Sequence, residues 1–252
     1  MEGTLQATAT VEGMDGFELI IFDCDGVLVD SERLTVAIEA RLLTELGAPH
    51  SEQDVVDTFM GRTSADGQAV LERILGPQKA AEFDRRSSAE IRRAFANELA
   101  PVPGIESLLK ALASRGQRSC VASSGSHSKM RLTLGLTGLA KHFGARIFSA
   151  AEVQHGKPAP DLFLHAARLL GVNPARCAVV EDSVPGVRAA VAASMTVFGF
   201  TGGLAPAGAL TAAGAIPFDR MEELLDVFDP GPPRAAGRAD VACAPDPTGP
   251  AR

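Results

Sequence analysis

The feature that most constrains this chain is a series of short apolar runs alternating with helical patterns. Five runs, at residues 17–23, 118–123, 145–149, 177–182 and 195–200, are apolar at successive positions rather than at every second one, and a weaker sixth covers 215–218. A strand that is apolar on both faces must be covered on both faces, as parallel strands are in α/β proteins. The intervening segments read as helices. Residues 104–115 place Ile105, Leu108, Leu109 and Leu112 on one stripe, and Gly116 follows as a stop signal. Residues 160–170 do the same with Leu162, Phe163, Ala166 and Leu169, closed by Gly171. Strand and helix in alternation predict a doubly wound parallel sheet, an α/β Rossmann-like core.

Residues 31–100 break that rhythm. They hold no convincing strand but several helical patterns, the clearest being Leu34, Ile38, Leu42 and Leu46 at four-residue spacing with Gly47 behind them. Pro101-Val102-Pro103-Gly104 then returns the chain to the sheet pattern. A helical insert is therefore expected after the first strand. It leaves from the carboxyl edge, where open α/β sheets bind ligands, and is placed to act as a lid. The core is expected at 16–30 and 101–228. Residues 1–15 and 229–252 are polar or rich in Pro, Gly and Ala without a period, and are expected to lack fixed structure.

Composition narrows the partners. The formal net charge is −7 and no long Lys/Arg run occurs, which argues against nucleic-acid binding through phosphate neutralisation. No apolar stretch approaches the ~20 residues that span a bilayer, and no signal-peptide pattern opens the sequence. Cys24, Cys120, Cys177 and Cys243 have no metal-ligand spacing, and the first three lie in or beside apolar runs, as buried reduced thiols do. A cytoplasmic protein with no membrane partner is the expectation. If such an acidic chain binds a phosphate, it needs a local positive site.

Acidic residues at strand ends supply the chemistry. Asp23 and Asp25 close the first strand, with Gly26 allowing a sharp turn; Glu181 and Asp182 close a later one. In a parallel sheet all carboxyl ends share one edge, so these groups are expected to converge. Two unit charges ~4 Å apart repel by about 4 kcal/mol at an effective dielectric near 20. A hard cation bound by oxygen ligands resolves this repulsion, and Mg²⁺ suits such a donor set better than Zn²⁺. Lys157, held between Gly156 and Pro158, offers the positive charge. Ser123 ends the second strand in Ser123-Ser124-Gly125-Ser126, where a hydroxyl and free N–H groups can hold phosphoryl oxygens or simply cap a helix.

These features stand in the order found in one family. Asp23 to Ser31 satisfies the pattern D-x-D-G-[VT]-[LI]-x-D-[ST] throughout, and the Ser, Lys-Pro and Glu-Asp-Ser signals follow it. Over about residues 17–220 the chain resembles the haloacid dehalogenase (HAD) superfamily, in its branch of β-phosphoglucomutase-like phosphatases with a type-one helical cap. The resemblance implies a Mg²⁺-dependent phosphatase acting on a small phosphorylated metabolite. Asp23 would be the nucleophile and Asp25 the general acid and base. Asp23, Asp25 (through its carbonyl), Asp182 and Glu181 would hold the metal, Glu181 directly or through water. Ser123, Ser124 and Lys157 would grip the phosphoryl group, with Ser31 and the cap residue Arg62 further candidates for substrate contact. Oligomeric state is open, a monomer being compatible with this cap type. Among rival readings, a sugar-phosphate mutase of this branch would carry a His in the first cap helix where Thr35 stands. A dehalogenase needs neither Asp25 nor the metal. A non-catalytic binding protein need not keep Asp23 or Lys157.

Overall fold

The computed structural model of the protein describes residues 16–59 and 64–228. Expectations for residues 1–15 and 229–252, and for Arg62 and Cys243, therefore lie outside the described residues. Six parallel strands, β1 (Leu19–Phe22), β2 (Arg118–Ser123), β3 (Ile147–Ser149), β4 (Cys177–Glu181), β5 (Thr196–Phe200) and β6 (Ile216–Phe218), form one sheet in the order β3-β2-β1-β4-β5-β6. The order reverses between β1 and β4, and that crevice is where open α/β sheets bind ligands.

Strand β1 shows why apolar runs gave the right fold class. Ile20 and Phe22 enter one core while Leu19 and Ile21 enter the other, the two-residue alternation of a pleated strand buried on both sides. The first core is closed by α5 (Ile105–Ser114), α6 (His127–Leu136) and α7 (Ala140–Phe143); the second by α8 (Asp161–Leu169), α9 (Val184–Ala192) and α10 (Ala207–Ala213). A last short helix, α11 (Leu224–Val227), returns Leu224 and Phe228 to the first core.

Between β1 and α5 stand α1 (Ser31–Glu45), α2 (Glu52–Phe59), α3 (Ser64–Leu75) and α4 (Pro77–Glu98), and no strand occurs among the described residues of this stretch. These helices enclose their own apolar cluster, which includes Val36, Leu43, Val55, Leu71 and Phe83. The stripe read from sequence on α1 is buried in its second half: Leu42 and Leu46 are buried, Leu34 and Ile38 are half-buried, and Val36, Ala40 and Leu43 join the buried set, because α1 is apolar on two sides and packs against both α2 and α4. The chain leaves and re-enters the core at one place, where Asp30 N–H donates to Ala100 O (3.0 Å) and Val102 N–H to Leu28 O (3.0 Å). From the core side Leu204, on the loop after β5, packs into the helical cluster.

Candidate active site

Asp23 follows the last residue of β1, and its N–H still donates to Val180 O of β4 (3.0 Å). The same register sets Phe22 beside Val180, so Glu181 and Asp182 emerge next to Asp23 at the sheet's reversal point. The four expected acids thus lie together because two neighbouring parallel strands end at one level.

Their environments differ. Lys157 Nζ, 5% exposed, donates to Asp23 Oδ1 (2.5 Å), Glu181 Oε1 (2.7 Å) and Ala122 O (3.1 Å), and stands 4.9 Å from the Phe163 ring centre. It reaches them from the segment after β3, where the Lys157–Pro158 peptide bond is cis. The second oxygen of Glu181, Oε2, accepts from Asp182 N–H, Ser183 N–H and Ser183 Oγ, each at 2.9 Å. Both Glu181 oxygens are thereby engaged at the start of α9. A Cβ at Gly186 would fall 1.7 Å from Oε1, so only glycine leaves room for this carboxylate. This geometry makes Glu181 the fixed counter-charge of Lys157 rather than an open ligand.

Asp182 is the opposite case. It is 3% exposed, yet among the described residues no donor reaches its carboxylate. The side chain lies in a cradle of two glycines. A Cβ on Gly26 would meet Oδ2 at 1.9 Å, and one on Gly203 at 2.6 Å. Gly26 has φ +77°, a second reason for glycine there. Asp182 lines the cavity, so a group entering there can meet its carboxylate. Burial, with the charges of Glu32, Glu181 and Asp23 beside it, pushes the Asp182 carboxyl well above its ordinary range. Burial likewise pushes Asp23 up to about 7, with Lys157 opposing and Glu181 and Asp25 adding to the rise. The Lys157 ammonium is held above its ordinary value by Asp23 and Glu181, which outweigh its burial. One ammonium thus faces several carboxylates, and the site carries an excess of negative charge.

That excess suits a divalent cation. The available donors are hard oxygens: the orphaned Asp182 carboxylate and the Asp23 oxygen not taken by Lys157. Among the described residues no three His, Cys, Asp or Glu side chains form a preformed metal cluster, and the Lys157 ammonium occupies one oxygen each of Asp23 and Glu181.

Asp25 is held from two sides. Ser31 Oγ donates to its Oδ1 (2.5 Å) and Lys129 Nζ to its Oδ2 (2.8 Å). Ser31, expected to contact substrate, is 1% exposed and turns its hydroxyl to Asp25. Ser123 Oγ accepts from Gly125 N–H (3.1 Å), drawing the loop after β2 into a tight turn. Asp23, Asp25, Ser123, Ser124, Lys157 and Asp182 line a common cavity of ≈ 210 Å³. A wider space of ≈ 350 Å³, reaching Gln53, Val56 and Asp57 of α2, borders it along Glu32, Asp182 and Ser183.

Two residues at the site were not anticipated. Glu32, next to Ser31, lines both spaces, and burial with the charges of Asp23 and Asp25 pushes its carboxyl up to about 8. Lys129 reaches Asp25 from α6. Position beside the D-x-D pattern was the available signal for Glu32; for Lys129, 104 residues from its partner, there was none.

The arrangement can attack an electrophile with one carboxylate, exchange a proton with a second and neutralise an anion with Lys157 and a cation. The chain is similar in sequence and fold to known proteins. The sequence model of haloacid dehalogenase-like hydrolases matches residues 17–194. The 6-phosphogluconate phosphatase of Escherichia coli is 32% identical over 188 residues, covering 74% of this chain and 84% of that protein. A phosphorylated carbohydrates phosphatase of Thermotoga maritima is also 32% identical, over 213 residues, covering 84% and 98%. The crystal structure of a haloacid dehalogenase-like protein from Agrobacterium tumefaciens superposes with a TM-score of 0.74 at 38% identity, covering 84% of this chain and 98% of that one. The family model spans more than half of the sequence, and the chain belongs to the haloacid dehalogenase-like hydrolase family.

Proposed function

We propose that this protein is a Mg²⁺-dependent phosphatase of small phosphorylated metabolites, sugar or sugar-acid phosphates, working through an aspartyl phosphate on Asp23. The observation that carries this reading is the pairing of Asp23 with Lys157 (2.5 Å) beside an unpartnered buried Asp182 in one cavity. The relatives named as phosphatases of 6-phosphogluconate and of phosphorylated carbohydrates support the substrate class.

In this reading Asp23 attacks phosphorus with one carboxylate oxygen while Lys157 fixes the other and offsets charge on the phosphoryl group. Asp25 gives its proton to the departing alcohol and later takes one from water. Ser123 and the N–H groups of the following turn orient phosphoryl oxygens. Asp23, Asp182 and the Asp25 carbonyl would hold Mg²⁺, which supplies electrostatic stabilisation of the transferring group. Glu181 orients Lys157. Helices α1–α4 act as the cap, with core boundaries at 16–30 and 101–228; α2 faces the space where the rest of the substrate would lie. Thr35, whose Oγ1 donates to Ser31 O (2.9 Å), stands where a mutase of this branch would carry a His, and that difference favours hydrolysis over a mutase reaction.

No described helix is long and apolar enough to cross a membrane. We assign the protein a cytoplasmic location and a small-molecule partner. Release of inorganic phosphate from a panel of sugar phosphates, with Mg²⁺ or with EDTA, tests the reading. Metal-dependent release from at least one member is expected, and no release from any would reject it.

A further inference from the structure

We propose that Lys129 is a positioning residue for Asp25, fixing the carboxyl group that exchanges protons with the leaving and attacking oxygens; the inference rests on the phosphatase reading above. Asp25 is clamped at both oxygens, by Ser31 Oγ on Oδ1 (2.5 Å) and by Lys129 Nζ on Oδ2 (2.8 Å). Ser31 opens α1 and Lys129 lies in the first turn of α6, so the insert supplies one half of the clamp and the sheet domain the other. The Lys129 side chain is 44% exposed against 15% for Asp25, and Lys129 is not among the residues that line the cavity with Asp23, Ser123 and Lys157. Its ammonium is engaged by Asp25, and its assigned action is through that carboxylate.

A half-exposed ion pair adds little to folding stability, so the consequence of this one is geometric. A carboxylate held by one hydroxyl can still rotate; a second contact on the other oxygen stops it.

The proton balance says which substrates should notice. In the first step an Asp23 oxygen bonds to phosphorus, the bond from phosphorus to the alcohol oxygen breaks, and the Asp25 proton moves to that oxygen. In the second, a water oxygen bonds to phosphorus, the acyl phosphate bond breaks, and the water proton goes to Asp25. An alkyl alcohol needs the proton to leave. A p-nitrophenolate does not, so misplacing Asp25 slows the first step for alkyl phosphates selectively.

The test compares single-turnover release of the alcohol or phenol at saturating substrate in wild type, Lys129→Met and Lys129→Arg. The substrates are p-nitrophenyl phosphate and the most rapidly hydrolysed alkyl phosphate of a sugar-phosphate panel that includes 6-phosphogluconate. General acid catalysis is worth about 10²–10⁴-fold, and partial misplacement is expected to lose at least about tenfold more on the alkyl than on the aryl substrate. Lys129→Arg should recover part of that difference. Equal losses on both substrates, no loss, or a loss confined to KM would overturn the inference while leaving the phosphatase reading intact. A wild type that hydrolyses neither substrate would overturn both.

Discussion

Metal-free protein should become less stable as pH rises through neutrality, and Asp23 should account for a measurable part of the loss. Burial raises its carboxyl from 3.8 to about 7. A carboxyl raised by folding is bound more tightly by its proton in the folded state than in the unfolded one. Its contribution is complete below the unfolded value and is lost as pH climbs through the folded value. Between about pH 5.5 and about pH 8 the group traverses about 1.5 units of that shift, or about 2 kcal/mol at about 1.4 kcal/mol per unit. In a domain of this size 1 kcal/mol moves Tm by about 2–4 °C, so Asp23 alone should lower Tm by about 4–8 °C across the window. Asp182, Glu32 and Glu39 are raised too and act in the same direction. Glu45, Glu106 and Glu152 are held low by their partners, so their opposite contributions are lost only at more acid pH. Calorimetry in EDTA compares wild type with Asp23→Asn: the Tm of the variant should fall less steeply by at least about 4–8 °C, because the substitution removes the Asp23 titration and also relieves Asp182 and Glu32 of a neighbouring charge. Mg²⁺ should raise the wild-type Tm more at the upper pH than at the lower. Parallel pH profiles for the two proteins would refute the claim that a buried, charge-crowded Asp23 awaits a cation.

Other substitutions probe the same site. Lys157→Met should cost about 3–5 kcal/mol in urea unfolding, because it leaves Asp23 and Glu181 buried without their shared cation; a loss within about 1 kcal/mol would show the ammonium to be dispensable to the fold. Gly26→Ala should weaken Mg²⁺ activation at least about tenfold and cost about 1–2 kcal/mol, since its Cβ would meet Asp182 Oδ2 at 1.9 Å at a backbone φ of +77°. An unchanged Mg²⁺ titration would remove Asp182 from the cation site. Thr35→His should leave phosphate release from sugar phosphates in place, checked alongside a mutase assay with glucose 1,6-bisphosphate. Conversion to a mutase by that change would make Thr35 the determinant of hydrolysis.

Much of the fold was legible because burial on both faces of a parallel strand leaves a mark on consecutive residues. Leu19 to Phe22 are apolar without a break for that reason, and the absence of such runs from 31 to 100 marked the helical insert. The phase of α1 was legible only in part. Leu42 and Leu46 of the expected stripe are buried, but a helix apolar on two sides offers a second stripe, and contacts with α2 and α4 add Val36, Ala40 and Leu43 while leaving Leu34 and Ile38 half-buried. At the site, strand ends told which carboxylates would meet, but sequence shows charges and not their neighbours. Glu181 and Asp182 read alike as a pair of acids. Lys157 and three donors at the start of α9 engage the first, while two glycines cradle the second without a donor. The Lys129–Asp25 contact joins positions 104 residues apart and follows no spacing rule, so folding alone reveals it.

Chemical trapping bears most directly on the account. Enzyme turning over a sugar phosphate with Mg²⁺ is quenched in acid, treated with borohydride and mapped by peptide mass spectrometry. An acyl phosphate at Asp23 would be reduced, and the account predicts homoserine at that position, absent without substrate and absent in Asp23→Asn. An active enzyme that yields the reduction product at another carboxylate, or at none, would contradict Asp23 as the nucleophile.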